Sequence, residues 1–387
     1  MTDHPPILPG AVLGLFGGGQ LGRMFIQAAA RLGYRVHLFA PDDDPPAAHL
    51  AWRHTRAEYD DRKAVESFAR SVAGITCEFE NVPAVAVAEA ARHVPVSPQP
   101  HVLELAQDRI KEKAFLKKQG LPVAPYAEVR SSADAKRAAA ELGTPVVFKS
   151  ARGGYDGKGQ QRVDDPADAP GAWAELAVAE AVAEAWVRFT AELSVIVARN
   201  TQGEVVTYGP MHNVHRNHIL DYSLFPADLP TATQKQAEQL AATVAQAIGL
   251  VGLCCVEMFL TTTGELIINE LAPRPHNSGH LTIEAHRTSQ FEQQVRTLCN
   301  LPLGSPHPIA PAAAMANLLG DLWRDATHPP AWCEALADPD VVLHLYGKPA
   351  ARPGRKMGHL TACADTAEQA LARVLTIRDA WAAAPME

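Results

Sequence analysis

The chain has 387 residues, of which 47% are hydrophobic and 20% charged, and its formal net charge is −8. This length is enough for two or three domains with sizeable cores. The negative charge excludes a general nucleic-acid-binding protein, because such proteins gain affinity by neutralising phosphates. No apolar run reaches the roughly 18 residues of a membrane-spanning helix, residues 1–6 do not resemble a signal peptide, and six cysteines without a zinc spacing favour a reducing cytoplasm.

The N-terminal segment predicts a doubly wound α/β domain. An apolar run at 11–16 is typical of a strand, and it is followed by a glycine loop and a helical apolar pattern up to residue 32. Further strands are expected at 35–40 and within 74–81, and the second of these runs into a polar tip. Ligands collect at the carboxyl ends of such strands. A proline-rich break at 95–100 and a charged helix at 108–119 then indicate a domain boundary near residue 110.

The glycine loop alone leaves two interpretations open. Gly17, Gly19 and Gly22 match the spacing of a dinucleotide fingerprint, and Asp42 lies twenty residues further on, where a ribose-binding acid is expected. This favours a nicotinamide-dependent dehydrogenase. However, the motif physically requires only a tight turn and a helix N-terminus that offers N–H groups to an anion, so a mononucleotide phosphate or a carboxylate fits it as well.

A second glycine-rich loop favours a phosphate-binding lid. An alanine-rich helix at 129–143 precedes a strand that ends at Lys149, and the loop after it contains four glycines and Lys158. Glycines let the backbone approach phosphates closely, and lysines supply positive point charges. The Walker A pattern is absent, so this is a different kind of nucleotide loop.

The next segment suggests how a nucleotide is held. We expect a helix over residues 172–185, overlapping a strand-like stretch at 184–187 whose backbone faces an adenine edge. An acid such as Glu192 can accept hydrogen bonds from ribose hydroxyls, although on its own this stretch is by default a plain edge strand. A hairpin is predicted from 192–199 and 204–208, followed by a helix at 233–248.

Glu257 and Glu270 are the most informative pair in the chain. They lie in two apolar, β-branched runs joined by a turn that contains Gly264, which predicts a β-hairpin. Two carboxylates held together are costly unless a positive charge lies between them, and Mg²⁺ favours hard oxygen ligands of this kind. The spacing alone is equally compatible with two unrelated surface acids. The polar and cationic segment 271–280, directly after the second acid, favours a metal and phosphate site.

Two histidine- or arginine-rich segments complete the set of candidates. His212, His215 and His218 recur every three residues, but their segment lacks a helical apolar face, so contact with a nucleotide is favoured over zinc. A helix is expected at 289–299 and a strand at 341–346. The basic turn at 352–359 is either a solvated charged surface or a preformed anion site, and its compact glycines favour a site for a ribose 5-phosphate.

Taken together, these motifs resemble the ATP-grasp superfamily, and within it the N5-carboxyaminoimidazole ribonucleotide synthetase family. The resemblance covers nearly the whole chain, in the same order. It is carried by the strings at 19–24, 79–83, 152–160, 269–280 and 352–359.

The resemblance implies a mixed α/β chain of ATP-grasp architecture in three parts. Residues 1–110 would form a doubly wound α/β domain, 111–300 the ATP-grasp domain with its lid, and 301–387 a small domain that completes the ribonucleotide site. It also implies a homodimer. The reaction would be the carboxylation of 5-aminoimidazole ribonucleotide, with ATP and bicarbonate as co-substrates, Mg²⁺ as cofactor and carboxyphosphate as the intermediate.

The resemblance also assigns roles to residues of this chain. ATP would be held by Arg109, Lys149, Gly154, Tyr155, Asp156, Gly157, Lys158, Gly159, Gln160, Glu184, Ala185, Trp186, Val187, Glu192, His215, Asn269 and Glu270. The ribonucleotide would be held by Gln20, Leu21, Glu80, Asn81, Tyr155, Arg274, His276, Asn277, Ser278, Arg352, Arg355 and Lys356. Mg²⁺ would be held by Glu257 and Glu270.

The chemistry adds expectations for catalysis. Bicarbonate is an anion and is expected near Arg274 and His276. The attacking amine must lose a proton, and Asp156, between glycines on the lid, is the candidate base, with Lys356 assisting. Alternatives are another ATP-grasp enzyme, such as the formate-dependent glycinamide ribonucleotide transformylase or a biotin carboxylase, the dehydrogenase mentioned above, and a non-catalytic ATP-binding regulator.

Overall fold

The structure is a computed structural model that describes residues 4–154, 157–323, 329–330 and 332–383. Its strands form three sheets, of five, four and eight strands. The predicted mixed α/β class is therefore confirmed. None of the described helices combines the length and apolar character that crossing a bilayer requires.

The first sheet is parallel, with the strand order β3-β2-β1-β4-β5. Its strands are β1 (Val12–Phe16), β2 (Arg35–Phe39), β3 (Arg53–Thr55), β4 (Ile75–Cys77) and β5 (Val96–Ser97). Its helices are α1 (Gln20–Arg31), α2 (Arg62–Ala69), α3 (Ala84–Ala90) and α4 (Pro100–Ala106). The order reverses between β1 and β4, as the doubly wound prediction requires, and this switch point places the loops after both strands at one edge of the sheet.

The second sheet has the order β6-β9-β7-β8. Its strands are β6 (Tyr126–Val129), β7 (Val146–Ser150), β8 (Gln160–Val163) and β9 (Ala181–Ala185), and the helices around it are α5 (Arg109–Lys118), α6 (Ser132–Leu142) and α7 (Ala169–Leu176), with a 3₁₀ turn at Pro166–Asp168. Lys149 lies near the end of β7, and the glycine-rich loop connects β7 to β8.

One predicted helix in this region is wrong. The helix expected over 172–185 ends at Leu176, where Ala177 adopts a left-handed conformation with φ of 50°. Residues 181–185 instead form β9, which is hydrogen-bonded between β6 and β7. Alanine favours a helix, but pairing on both sides and the complete burial of Ala181, Val182 and Ala183 stabilise the strand instead.

The third sheet is antiparallel, with the order β14-β13-β10-β11-β12-β15-β17-β16. Its strands are β10 (Phe189–Arg199), β11 (Val205–Arg216), β12 (Ile219–Phe225), β13 (Gly252–Thr261), β14 (Leu266–Ala272), β15 (Ala312–Leu319), β16 (Val341–Leu345) and β17 (Lys356–Ala364). Its helices are α8 (Thr231–Ala247), α9 (Thr282–Ala285), α10 (Gln290–Leu298), α11 (Trp332–Ala337) and α12 (Ala367–Ala383), with 3₁₀ turns at Asn277–Leu281 and Gly320–Leu322.

This sheet runs across the predicted boundary at residue 300, because β12 pairs with β15. The division at 110 and 300 stays a prediction about chain segments. The predicted hairpins β10–β11 and β13–β14 are both present. The predicted basic turn is a loop up to residue 355, and from Lys356 onward it is the strand β17.

Candidate active site

The three sheets border one large cleft of about 1030 Å³. The loops after β1 and β4, the glycine-rich lid, the β13–β14 hairpin and the start of β17 all open onto it. The predicted residues that line it are Gln20, Leu21, Glu80, Asn81, Arg109, Lys149, Gly154, Gly157, Lys158, Gly159, Gln160, Glu184, Ala185, Trp186, Val187, Glu192, His215, Glu257, Asn269, Glu270, Arg274, His276, Asn277, Arg352, Arg355 and Lys356. Tyr155 and Asp156 lie outside the described residues.

The two predicted metal ligands face each other across the hairpin. Glu257 on β13 is the direct partner of Glu270 on β14. Arg109 lies 2.7 Å from the Glu270 carboxylate, and the Nε2 of His276 lies 2.9 Å from that of Glu257. Burial alone would raise the pKa of Glu270, but the Arg109 guanidinium outweighs it and lowers that pKa to about 2. Glu270 therefore stays ionised and offers hard oxygens to a divalent cation.

A second charged group lies where the phosphates of a nucleotide are expected. The Nζ of Lys149 lies 3.1 Å from Glu184 Oε2 and 3.2 Å from Asn269 Oδ1. Lys113, which is fully buried, donates to the Asn269 carbonyl at 2.8 Å and lies 3.4 Å from Glu184. Burial alone would raise the pKa of Glu184, but the two lysines, with Arg109, outweigh it and lower that pKa. Sequence reasoning missed Lys113, because a lysine on a charged helix gives no sign that it is buried.

An apolar pocket adjoins Glu184 and is suited to a nucleotide base. Val147, Val187 and Phe259 line the cleft here, and the Phe259 ring stacks on Phe189 with centroids 4.7 Å apart. The sequence analysis did not predict Val147 or Phe259 as residues of this site. Side chains alternate along a strand, so Val147 could have been found from its place two residues before Lys149.

His215 faces Glu192 at the rim of this pocket. Its Nδ1 lies 2.9 Å from the Glu192 carboxylate. Burial alone would lower the pKa of His215, but the neighbouring Glu192 carboxylate outweighs that and raises the pKa. The pair therefore places an imidazole and a carboxylate side by side at the rim of the pocket.

The first glycine loop is already bound by a carboxyl group of the chain itself. The carboxylate of Glu78 accepts from Gly19 N at 2.6 Å and from Gly22 N at 2.9 Å, and so occupies the N-terminus of α1. A Cβ on Gly19 would lie 2.5 Å from that carboxylate, which explains the glycine. These two N–H groups bind an internal carboxylate, which argues against a dinucleotide pyrophosphate at this position. Glu78 was missed, although it stands beside the predicted polar tip.

Arg274 links the hairpin to the first domain. Its guanidinium bonds the carboxylate of Glu80 through two nitrogens, and Gln107 donates to the Glu80 carbonyl at 2.7 Å. Burial alone would raise the pKa of Glu80, but Arg274 outweighs it and lowers that pKa. The ion pair fixes the tip after β4 against the segment after β14.

The structure does not bring Ser278 to the cleft. This serine is fully buried, and its hydroxyl lies 2.8 Å from His276 Nδ1 and 2.7 Å from Ser194 Oγ. Asn213 donates to that Ser194 hydroxyl at 2.9 Å. Ser278 therefore orients the His276 ring from behind. The sequence could not show which side of the polar segment faces the ligand.

The basic segment forms the far end of the cleft. Arg352, Arg355 and Lys356 line it together with Lys348, which was missed. Lys348 donates to the Lys356 carbonyl at 2.6 Å, and Arg355 to the Ala350 carbonyl at 2.6 Å. Burial and the neighbouring Arg352 lower the pKa of Arg355. Such a concentration of like charge favours a bound anion.

Comparisons with known proteins agree with this geometry. Family models match the chain as a ribonucleotide synthetase preATP-grasp domain at residues 11–107, an ATP-grasp domain at 114–291 and a phosphoribosylaminoimidazole carboxylase C-terminal domain at 313–373. The fold and the cleft thus define an ATP-grasp ligase.

The relatives narrow the class to one family. The N5-carboxyaminoimidazole ribonucleotide synthase of Bacillus subtilis is 42% identical over 92% of this chain and 92% of its own. The Aspergillus clavatus N5-carboxyaminoimidazole synthase, solved with ADP and 5-aminoimidazole ribonucleotide, is 33% identical, with a TM-score of 0.88 over 95% of this chain and 98% of that one. The bifunctional purine synthesis protein purC/E of Dictyostelium discoideum is 41% identical over 91% of this chain. That relative is longer, and the match covers only 37% of its length. The chain belongs to the N5-carboxyaminoimidazole ribonucleotide synthase family.

A buried acid next to the cleft carries a pH-dependent effect on stability. Glu112 on α5 is 2% exposed, and its Oε2 accepts from Leu271 N at 3.2 Å. Its Oε1 has no hydrogen-bond partner within the described part of the chain. Burial raises the pKa of Glu112 to about 8, against the opposing pull of Lys113 and Arg109.

We predict that Glu112→Gln makes the protein less sensitive to rising pH. The pKa of Glu112 is about 8 in the folded state and about 4.3 in the unfolded state. The folded state therefore holds the proton more tightly, and stability is lost as pH rises from about 4.3 through about 8. The glutamine stays neutral, so the melting temperature of the variant minus that of the wild type should increase over this range. A difference independent of pH, as expected for the exposed control Glu265→Gln, would contradict the assignment.

Proposed function

We propose that this chain carboxylates 5-aminoimidazole ribonucleotide to N5-carboxyaminoimidazole ribonucleotide, with ATP and bicarbonate as co-substrates. The observation that carries the proposal is the single cleft that joins a nucleotide pocket, a pair of opposed carboxylates and a basic segment. Membership of the synthase family supports it, and the match of the C-terminal residues to a carboxylase domain favours it over the formate-dependent transformylase.

ATP would lie between the second sheet and the β13–β14 hairpin. Val147, Val187 and Phe259 would contact the base, and Glu192 the ribose. Lys149 and the glycine-rich lid would contact the phosphates, and closure of the lid would exclude water from a readily hydrolysed acyl phosphate. Phosphoryl transfer depends mainly on such positioning and charge neutralisation.

The donor set beside the phosphate site fits Mg²⁺. Glu257 and Glu270 offer carboxylate oxygens, and Asn269 adds an amide oxygen close by. When bound, Mg²⁺ neutralises phosphate charge and helps to align the γ-phosphate. Arg109 would hold the Glu270 carboxylate in position for the cation, and His276 would hold that of Glu257.

The proposed reaction has two steps. A bicarbonate oxygen, near Arg274 and His276, attacks the γ-phosphorus, and ADP leaves with the electron pair of the broken P–O bond. The exocyclic amine of the ribonucleotide then attacks the carboxyl carbon of carboxyphosphate, or CO₂ released from it, and phosphate leaves. Asp156 is the proposed base that takes the amine proton, with Lys356 assisting, while Arg352, Arg355 and Lys356 hold the ribonucleotide phosphate.

We also propose a homodimer in the cytoplasm. Exposed apolar side chains on the N-terminal segment, Leu50, Trp52 and Val85, support an interface there. All six cysteines are free thiols, which supports a reducing compartment. A monomer in sedimentation analysis at working concentration would contradict the dimer.

Phosphate release from Mg·ATP in the presence of bicarbonate tests the proposed function. We expect turnover to rise strongly when 5-aminoimidazole ribonucleotide is added and an acid-labile carbamate to form. The ribonucleotide supplies the acceptor amine and fills the basic end of the cleft. ATP turnover that ignores the ribonucleotide would reject the acceptor and leave only the ATP-grasp assignment.

Glu257→Gln tests the metal site. We expect kcat/KM to fall about 100-fold or more, because a neutral amide replaces a charged Mg²⁺ ligand, and high Mg²⁺ to restore part of the loss. Glu265→Gln is the matched control, since Glu265 lies at the exposed turn of the same hairpin. Equal activity of the two variants would remove Glu257 from the metal site.

Asp156→Asn tests the proposed base. We expect kcat to fall about 100-fold or more, within the range for loss of a general base, while the affinity for ATP changes little. The amide keeps the size of the side chain but cannot take the proton. Near-normal turnover would show that another group accepts it.

A further inference from the structure

A cysteine beneath the metal site gives the cleft a second set of metal donors. The thiol sulfur of Cys255, a carboxylate oxygen of Glu257 and an imidazole nitrogen of His276 all lie within 4.8 Å of one another. Cys255 and Glu257 stand two residues apart on β13 and so point to the same face of the sheet. Their strand pairs with β14, and Cys255 is opposite Ala272, four residues before His276.

The three donors form an open site. Glu257 and His276 line the cleft, whereas Cys255 is completely buried beneath them. A cation that enters from the cleft would meet three protein ligands and keep its remaining position on the cleft side. Three ligands of the imidazole, thiolate and carboxylate types with one open position are the arrangement of an accessible zinc site.

A supporting hydrogen-bond shell is already in place. Metal-binding histidines usually donate their other ring N–H to a fixed acceptor. The Nδ1 of His276 lies 2.8 Å from Ser278 Oγ, and that oxygen lies 2.7 Å from Ser194 Oγ. In the metal-free protein Ser278 N donates to Nδ1 at 3.4 Å, and Nε2–H faces the Glu257 carboxylate at 2.9 Å. When Nε2 binds a cation, the ring proton moves to Nδ1, where Ser278 Oγ can accept it.

We propose that Cys255, Glu257 and His276 form a site for a zinc-class divalent cation that competes with Mg²⁺ for Glu257. Sulfur and imidazole ligands select zinc and cadmium over Mg²⁺, which prefers oxygen. On binding, the metal–sulfur bond replaces the S–H bond and the thiol proton leaves to solvent. Zinc bonds of about 2.0 to 2.3 Å require the three donors to draw together. Glu257 then serves only one of the two cations at a time.

Binding of a zinc-class cation by the three residues does not depend on the proposed function. Its competition with Mg²⁺ for Glu257 does rest on that function. We therefore test binding first, by titrating Cd²⁺ into the whole protein and following thiolate-to-metal charge-transfer absorption. Cys333 is exposed, so all titrations use a Cys333→Ser background. We expect one strong equivalent of Cd²⁺ per chain, with a charge-transfer band that Cys255→Ser removes.

Cys254→Ser is the matched control. Cys254 is the neighbour of Cys255 on the same strand and equally buried, but it points to the opposite face of the sheet. We expect this variant to keep the band. A band that survives Cys255→Ser, or that is absent from the parent protein, would overturn the proposal. If Cys255→Ser does not fold, the test is X-ray absorption spectroscopy of the parent protein with one equivalent of Zn²⁺. A zinc coordination shell without sulfur would contradict the proposed site.

The competition is tested by Zn²⁺ inhibition of phosphate release at fixed Mg²⁺. We expect inhibition that excess Mg²⁺ relieves in the parent protein and in Cys254→Ser. Cys255→Ser should need at least about tenfold more Zn²⁺, because it lacks one ligand. Binding without inhibition would overturn the shared role of Glu257. Absence of ribonucleotide-dependent turnover would reject the proposed function. The Cd²⁺ titration would still show whether Cys255 binds the metal.

Discussion

The cleft depends on holding two carboxylates opposite each other on neighbouring strands. Glu257 and Glu270 are direct cross-strand partners, an arrangement that is unfavourable unless positive charge compensates it. Arg109 supplies that charge at 2.7 Å from Glu270, and the His276 ring lies 2.9 Å from Glu257. Neither comes from the hairpin strands themselves, so the hairpin is stabilised in this form only when α5 and the segment after β14 are in place.

The same need for compensation ties distant parts of the chain together. Lys149 from the second sheet meets Glu184 and Asn269, and Arg274 meets Glu80 from the first sheet. Arg152, at the start of the lid, bonds Asp108 at 2.7 Å. Arg274 and Glu80 pair charges from two different sheets, whereas Lys149 and Glu184 pair within the second sheet. A ligand with phosphates and a divalent cation adds charge of both signs, and this charge pattern supports the proposed binding of Mg·ATP and an anionic acceptor.

Much of the fold was predictable because its signals are local. Hydrophobic periodicity and turn residues predict the β-loop-α-β pattern at the N-terminus, the hairpin around Gly264 and helix α8. Residues 181–185 were mistaken for helix because alanine favours a helix. Their pairing with β6 and β7, which no local signal shows, makes them a strand. Glu78, Lys113 and Ser278 depend on which side of a segment is buried, and that is set by contacts far away in sequence.

The central claim is that the cleft uses ATP to activate bicarbonate. Turnover in the presence of ¹⁸O-labelled bicarbonate and the ribonucleotide tests it most directly. If a bicarbonate oxygen attacks the γ-phosphorus, that oxygen remains on phosphorus when carboxyphosphate breaks down, and the released inorganic phosphate carries ¹⁸O. Phosphate without the label would show that another nucleophile attacks ATP and would contradict the account.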